Sequence, residues 1–222
     1  MPMELKAPAP ERQARPKAVI FDIGRVIVRL NLSRAFAPIA TGMRDNDGSA
    51  QRLSPEGVWK MICQDERWPD WQEGRLSPRE WHEHLMRRLK LSLTYAQLRE
   101  AWNLVLDPQT ILSDELFAKL SGCCRLALLS NTDPLHVEAL EERFTFSRHF
   151  PVRIYSCRVG ASKPSAAIYR AALEQLGLPA SETLYVDDIQ EFVDAARGLG
   201  LDAIRFESRG GLEDHLGRRD LL

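Results

Sequence analysis

A chain of 222 residues with 44% hydrophobic and 27% charged side chains is long enough to bury a sizeable core and has the make-up of an ordinary globular protein. A formal net charge of −1 gives no electrostatic footing for a nucleic acid or membrane partner. No apolar run reaches bilayer-spanning length, the N-terminus lacks an apolar signal core, and Cys63, Cys123, Cys124 and Cys157 form no CxxC pair; buried, reduced thiols in the cytoplasm are the expectation.

The opening MPMELKAPAPERQARP is Pro/Ala-rich and charged, which predicts a disordered tail over 1–16. Lys17–Ile23 then reads as a strand buried on both faces, ending at Asp22; a carboxylate is tolerable there only where the strand leaves the core. From Ser33 to about Leu106 the pattern is helical, with starts near Ser33, Ser54-Pro55, Ser77-Pro78 and Thr94, each a Ser or Thr in an N-cap position. Asp107-Pro108 reads as a break.

Beyond it the elements alternate. A helix over about Thr110–Leu120 precedes strand Arg125–Leu129, and a helix from Pro134 precedes strand Val152–Tyr155. Helix Ala166–Leu176, strand Thr183–Val186, helix Glu191–Leu199 and strand Asp202–Phe206 come next. This order predicts an α/β fold: a Rossmann-like, doubly wound parallel sheet formed by 17–32 and 107–222, with an all-helical cap, 33–106, inserted after the first strand.

Ligands of such sheets bind beyond the carboxyl ends of the strands. The first strand delivers Asp22 there, the second Ser130-Asn131-Thr132, and the fourth Asp187-Asp188; Gly160-Ala161-Ser162-Lys163-Pro164 leads into a helix beside them. Crowded carboxylates repel unless a cation lies among them, and Mg²⁺ takes hard oxygen ligands together with phosphate. A hydroxyl, an amide and a lysine alongside suit an anion. The pattern points to a Mg²⁺-dependent phosphoryl site. Each residue also has a plainer reading: Asp22 as a strand end, Asp187-Asp188 as turn formers, Ser130 to Asp133 as a helix cap, Lys163 as a surface lysine.

These stretches resemble the haloacid dehalogenase superfamily, in its branch with a helical cap after the first strand. FDIGRVIV matches its first motif, LLSNT its second, GASKPSAAIY its lysine motif and LYVDDIQEFVDAARGLG its acidic fourth, covering about Lys17 to Phe206. The resemblance implies that Asp22 is a nucleophile forming an aspartyl-phosphate, that Ser130 and Asn131 bind the phosphoryl group, and that Lys163 neutralises both. It implies Mg²⁺ bound by Asp22, Asp187, Asp188 and the main-chain carbonyl of Gly24. The substrate would be a small phosphorylated metabolite, a sugar phosphate being suggested by the D-x-G-x-V start shared with glucose-1-phosphate phosphatase-like members; the chain would be a monomer or homodimer.

Two of the motifs depart from the family pattern. Gly24 stands where most family phosphatases carry an acid/base Asp, and Arg25 comes after it in place of Gly. Phe192 stands where Asn or Asp usually supports the lysine or the metal, and it offers no side-chain hydrogen bond. Two alternatives therefore stay open: a catalytically impaired binding protein, and a metal-independent dehalogenase, against which the Asp187-Asp188 pair argues. All five tryptophans fall in the cap segment, with the stretch RWPDWQEGR expected nearest the substrate and hinges at Leu30–Leu32 and Leu106–Gln109. His82 and His84 make a poor metal pair, and His136, His149 and His215 read as surface or packing residues.

Overall fold

The computed structural model describes residues 14–43 and 53–222, so most of the expected tail lies outside the described residues. In chain order the elements are β1 (Ala18–Phe21), β2 (Val28–Leu30), α1 (Leu32–Gly42), α2 (Pro55–Cys63), α3 (Trp68–Gln72), α4 (Pro78–Arg88), α5 (Tyr95–Asn103) and β3 (Leu106–Thr110). They continue with α6 (Asp114–Ser121), β4 (Arg125–Ser130), α7 (Pro134–Arg143), β5 (Val152–Tyr155), α8 (Ser156–Val159), α9 (Ala166–Leu176), β6 (Thr183–Asp187), α10 (Gln190–Gly198), β7 (Asp202–Arg205) and α11 (Arg209–Gly217).

Five strands pair in the order β5-β4-β1-β6-β7, every neighbour parallel. Because side chains alternate across a strand, both faces of the central strands must be apolar. Val19 and Phe21 enter one core with Leu126, Leu128, Leu184 and Val186; Ala18 and Ile20 enter the other with Ala127, Leu129 and Tyr185. Helices α9 and α10 cover the second face through Ile168, Tyr169, Ala172 and Val193. Helices α6, α7 and α11 join the first core, which continues into the helical block. The chain winds outward from β1 through β4 and β5, then returns to β6 on the other side of β1. The switch point therefore lies between the ends of β1 and β6, which carry Asp22 and Asp187.

The helical block owes its starts to side-chain caps. Ser54 accepts from Gly57 N–H, and complete capping boxes join Ser77 to Glu80 and Thr94 to Gln97. The cap of α1 is Asn31 rather than Ser33. Between Asp107 and Thr110 the expectation of a break and a helix is corrected: β3 runs antiparallel to β2, and α6 begins only at Asp114. Pro108 is tolerated because this pair is a two-stranded ribbon with open edges, where a missing N–H costs little. Of the two expected hinges, Leu106–Gln109 lies within β3, and Leu30–Leu32 spans the end of β2 and the start of α1. Thiol burial is also corrected: all four cysteines are free, but Cys123 is exposed and the other three only half-buried.

Five tryptophans knit the block. Trp71 and Trp81 stack with ring centres 5.5 Å apart, and Trp59, Trp68, Trp71 and Trp81 each lie within 6.5 Å of Trp102. Among the described residues no helix is long and apolar enough to cross a membrane.

The block also touches the sheet domain through backbone. Gly74, just after α3, has φ +70°, and a side chain there would collide with the Cys157 carbonyl in α8. Gly74→Ala is expected to lower stability by more than the roughly 1–3 kcal/mol of a left-handed non-glycine residue, because the collision adds to the strain. Urea unfolding of the two proteins measures it.

Candidate active site

Asp22 lies just past β1, its N–H donating to Val186 O at 2.9 Å, so the carboxylate emerges at the switch point. Lys163 reaches the same place from the loop before α9. Its ammonium donates to Asp22 Oδ1 at 2.6 Å, Asp187 Oδ2 at 2.7 Å and Leu129 O at 3.3 Å, which uses all three of its hydrogens. Lys163 is 4% exposed and Asp187 fully buried. Of the plainer readings, a surface lysine is therefore excluded.

Among the described residues, one carboxylate oxygen each from Asp22, Asp187 and Asp188 lie within 4.8 Å of one another. Burial, with Asp187 and Asp188 adding to it, pushes the Asp22 carboxyl up to about 7 against the opposing pull of Lys163. Burial also raises Asp188, although the nearby Arg25 counters it. Burial would depress Lys163, but the two carboxylates outweigh it and hold the ammonium above its ordinary value. Three carboxylates thus face one buried ammonium, and an all-oxygen cluster with excess negative charge fits a hard divalent cation.

Arg25 partly offsets that excess. Its Nε lies 3.2 Å from Asp188 Oδ2, over the site rather than away from it, and its backbone adopts φ 62°, the left-handed region that a glycine would enter without strain.

Around this centre the structure reveals supports. Asn131, expected beside the phosphoryl group, uses its side chain elsewhere: Oδ1 accepts from Lys163 N–H at 2.7 Å and Nδ2 donates to Lys163 O at 3.0 Å. It clamps the lysine's own main chain. Ser130, 5% exposed at the end of β4, lines the cavity as expected. Phe192 does contact Lys163, through its ring: Nζ stands 5.1 Å from the ring centre, a cation–π contact in place of the hydrogen bond that Asn or Asp would make. Tyr185, two residues before Asp187 and on the same strand face, donates its hydroxyl to Asp187 Oδ2. The period-two spacing was the available signal for it.

The site opens into a cavity of about 370 Å³ walled by β2, β3 and helices of the helical block as well as by the sheet's loops. Its far side holds a network around His136, a residue expected at the surface or in packing. Asp133 caps α7 by accepting from His136 N–H at 3.0 Å; its Oδ2 also accepts from Trp102 Nε1 at 3.0 Å and from His136 Nδ1 at 2.9 Å. His136 Nε2 faces the Trp102 carbonyl at 3.2 Å. Both ring nitrogens face acceptors, an arrangement that favours the doubly protonated imidazole. Ser156 makes a second link: its hydroxyl oxygen accepts from Thr132 N–H at 2.8 Å and lies 2.7 Å from the Gln72 carbonyl at the end of α3. Of the two tryptophans in RWPDWQEGR, Trp68 lines the cavity and Trp71 is fully buried beneath it.

A family model described as haloacid dehalogenase-like hydrolase matches residues 16–200. The chain belongs to this family of hydrolases. The D-ribitol-5-phosphate phosphatase of Bacteroides thetaiotaomicron is 26% identical over 200 residues, 86% of this chain and 92% of that protein. A haloacid dehalogenase family enzyme from the same organism, solved in complex with magnesium and inorganic phosphate, shares the fold with a TM-score of 0.72 at 21% identity, covering 87% of this chain and 96% of that one. The L-2-haloacid dehalogenase of Xanthobacter autotrophicus, with chloropropionic acid covalently bound, shares it at a TM-score of 0.61 and 20% identity, covering 91% and 82%.

The Asp133–His136 pair gives the fold a pH signature. Burial alone would lower His136, but Asp133 raises it above 6.5, so its contribution is full below 6.5 and is lost as pH climbs through the raised value. Asp133 is itself held below 3.8 despite burial, chiefly by His136, so the acid limb of its contribution lies below that value. Thermal unfolding monitored from pH 5 to 9 is expected to show stability falling on the alkaline side, and His136→Gln is expected to flatten that limb.

Proposed function

We propose that this hydrolase is a Mg²⁺-dependent phosphatase of a small phosphorylated metabolite, acting through an aspartyl-phosphate on Asp22. The observation that carries the reading is the buried Lys163 ammonium joining Asp22 to Asp187, with Asp188 beside them, at the floor of a cavity of metabolite size. The kinship with a phosphatase over most of both chains supports it.

In this mechanism an Asp22 carboxylate oxygen attacks phosphorus in line with the ester oxygen. The new Oδ–P bond forms as the P–O bond to the alcohol breaks, and that oxygen leaves with the electron pair. Lys163 and Ser130 offer positive charge and a hydroxyl donor to the phosphoryl oxygens. Water then attacks phosphorus, the P–Oδ bond breaks, and inorganic phosphate leaves with Asp22 regenerated. Asp22, Asp187, Asp188 and the Gly24 carbonyl would hold the cation, which when bound neutralises the carboxylates and draws charge from the phosphoryl oxygens. Asn131, Tyr185 and Phe192 act indirectly, by fixing Lys163 and Asp187.

Gly24 favours slow turnover, since no side chain there protonates the leaving oxygen. The site has room for one: Gly24 lies outside the left-handed region, and a Cβ would meet only the Leu30 side chain, Cδ1 nearest at 3.4 Å, an ordinary contact.

With a panel of phosphate monoesters, phosphate release is expected to need Mg²⁺, to vanish on chelation, and to drop by roughly 10³-fold or more in Asp22→Asn with the fold retained by circular dichroism. Turnover unaffected by both changes overturns the reading. Gly24→Asp is expected to raise kcat toward alkyl phosphates by about 10²-fold, the contribution of a positioned proton donor.

A further inference from the structure

The lining of the cavity is of two kinds. Beside the ionic groups stands an apolar wall built from Leu30, Leu32, Trp59, Trp68, Leu106 and Leu140. Of the polar groups described at this wall, only the Gln72 amide and the Thr132 hydroxyl keep side-chain hydrogen-bonding capacity free of a protein partner; the charged ones are committed. Asp133 and His136 are bonded to each other and to Trp102, and Arg25 is paired with Asp188. A polyhydroxylated chain placed against the wall would lose water from its hydroxyls and find few partners in exchange, which is unfavourable. A flat apolar ring would meet two indoles, set edge to face with ring centres 5.4 Å apart, and branched aliphatic groups, which favour it.

Protons are equally scarce. Beside Asp22, Gly24 has no donor. His136 has both N–H groups directed at Asp133 and Trp102, and burial pushes the Cys63 thiol up to about 12. No cavity residue is thus poised to hand a proton to the departing oxygen. Such a site favours a leaving group that is stable as an anion, and a phenol, with an ordinary value of about 10, is far less basic as its anion than an alcohol.

We infer that the substrate class is an aryl phosphate monoester, its ring received by Trp59 and Trp68 and its oxygen released as a phenolate. The inference rests on the phosphatase reading above. As Asp22 Oδ bonds to phosphorus, the P–O(aryl) bond breaks and its electron pair departs on the phenolate, which takes a proton from bulk water. Hydrolysis of the aspartyl-phosphate then consumes one water, so that ArO–PO₃²⁻ and H₂O give ArOH and HPO₄²⁻ overall. The wall and the missing donor act together: one selects the ring, the other selects the acidity of its oxygen.

The test uses the full chain with Mg²⁺ and three substrate sets: substituted phenyl phosphates of graded leaving-group acidity, hexyl phosphate, and ribitol 5-phosphate. Hexyl phosphate is expected to exceed ribitol 5-phosphate in kcat/KM by about 10²-fold, which isolates the wall, since both release alkyl oxygens. Across the phenyl series kcat/KM is expected to rise steeply with leaving-group acidity, and Gly24→Asp to flatten that slope. Trp68→Ala is expected to raise KM for phenyl phosphate about 10-fold, with Trp68→Phe restoring most of it. A preference for ribitol 5-phosphate, or a shallow slope unchanged in Gly24→Asp, overturns the inference while leaving the phosphatase reading intact. Failure of every monoester with and without Mg²⁺ overturns both.

Discussion

Three strand-end carboxylates converge on one buried corner, and the single ammonium of Lys163 holds two of them there. Like charges at separations near 4.8 Å repel by on the order of 3–4 kcal/mol per pair at an effective dielectric of about 20. The corner is stable only because Lys163 is fixed so that its three hydrogens meet Asp22, Asp187 and the Leu129 carbonyl. Most other contacts at the site serve that placement. Asn131 grips both main-chain polar groups of Lys163, Phe192 presents its ring to the ammonium, and Tyr185 steadies the far carboxylate. Both departures from the family pattern, Gly24-Arg25 and Phe192, lie against this ion cluster. At Phe192 a cation–π contact stands in for a polar one; at Gly24 nothing stands in, and Arg25 next to it covers Asp188 instead.

Much of this could be read from the chain. The continuous apolar runs at β1, β4 and β6 mark strands covered on both faces, and the residues at their carboxyl ends are Asp22, Ser130 and Asp187-Asp188. Helix α9 falls over the same residues as expected because its Ser165 cap and its Gly177 terminus bracket a clean periodic stretch. Misreadings came where a local signal was overruled by a distant partner. Asp107-Pro108 looks like a break in isolation but pairs with β2, on the far side of the whole helical block in the chain. His136 is the packing residue it reads as, stacked on Trp102, but nothing in the sequence places Trp102 and Asp133 around its ring nitrogens. Asn131 lines the cavity as the motif implies, and its side chain also bonds to the backbone of another loop, a partner that no residue pattern encodes.

Distant partners of the same kind keep the helical block and the sheet in register. The attachment combines a ribbon of two paired strands, a serine hydroxyl shared between Thr132 and Gln72, and an indole bonded to the carboxylate that caps α7. Ser130, Asn131, Thr132 and Asp133 are consecutive, so four neighbouring residues contact the cavity, the lysine loop, Ser156 and Trp102 in turn. Any shift of the block is felt at the floor of the cavity within one turn of chain.

The clustering of every tryptophan into one packed group has an optical consequence. Rings held a few ångströms apart at fixed angles share their electronic excitation, and two of them form a wall of the cavity while the others lie behind. A molecule entering that space would perturb not one chromophore but the coupled set, so the protein carries its own emissive gauge of whether the chamber is filled.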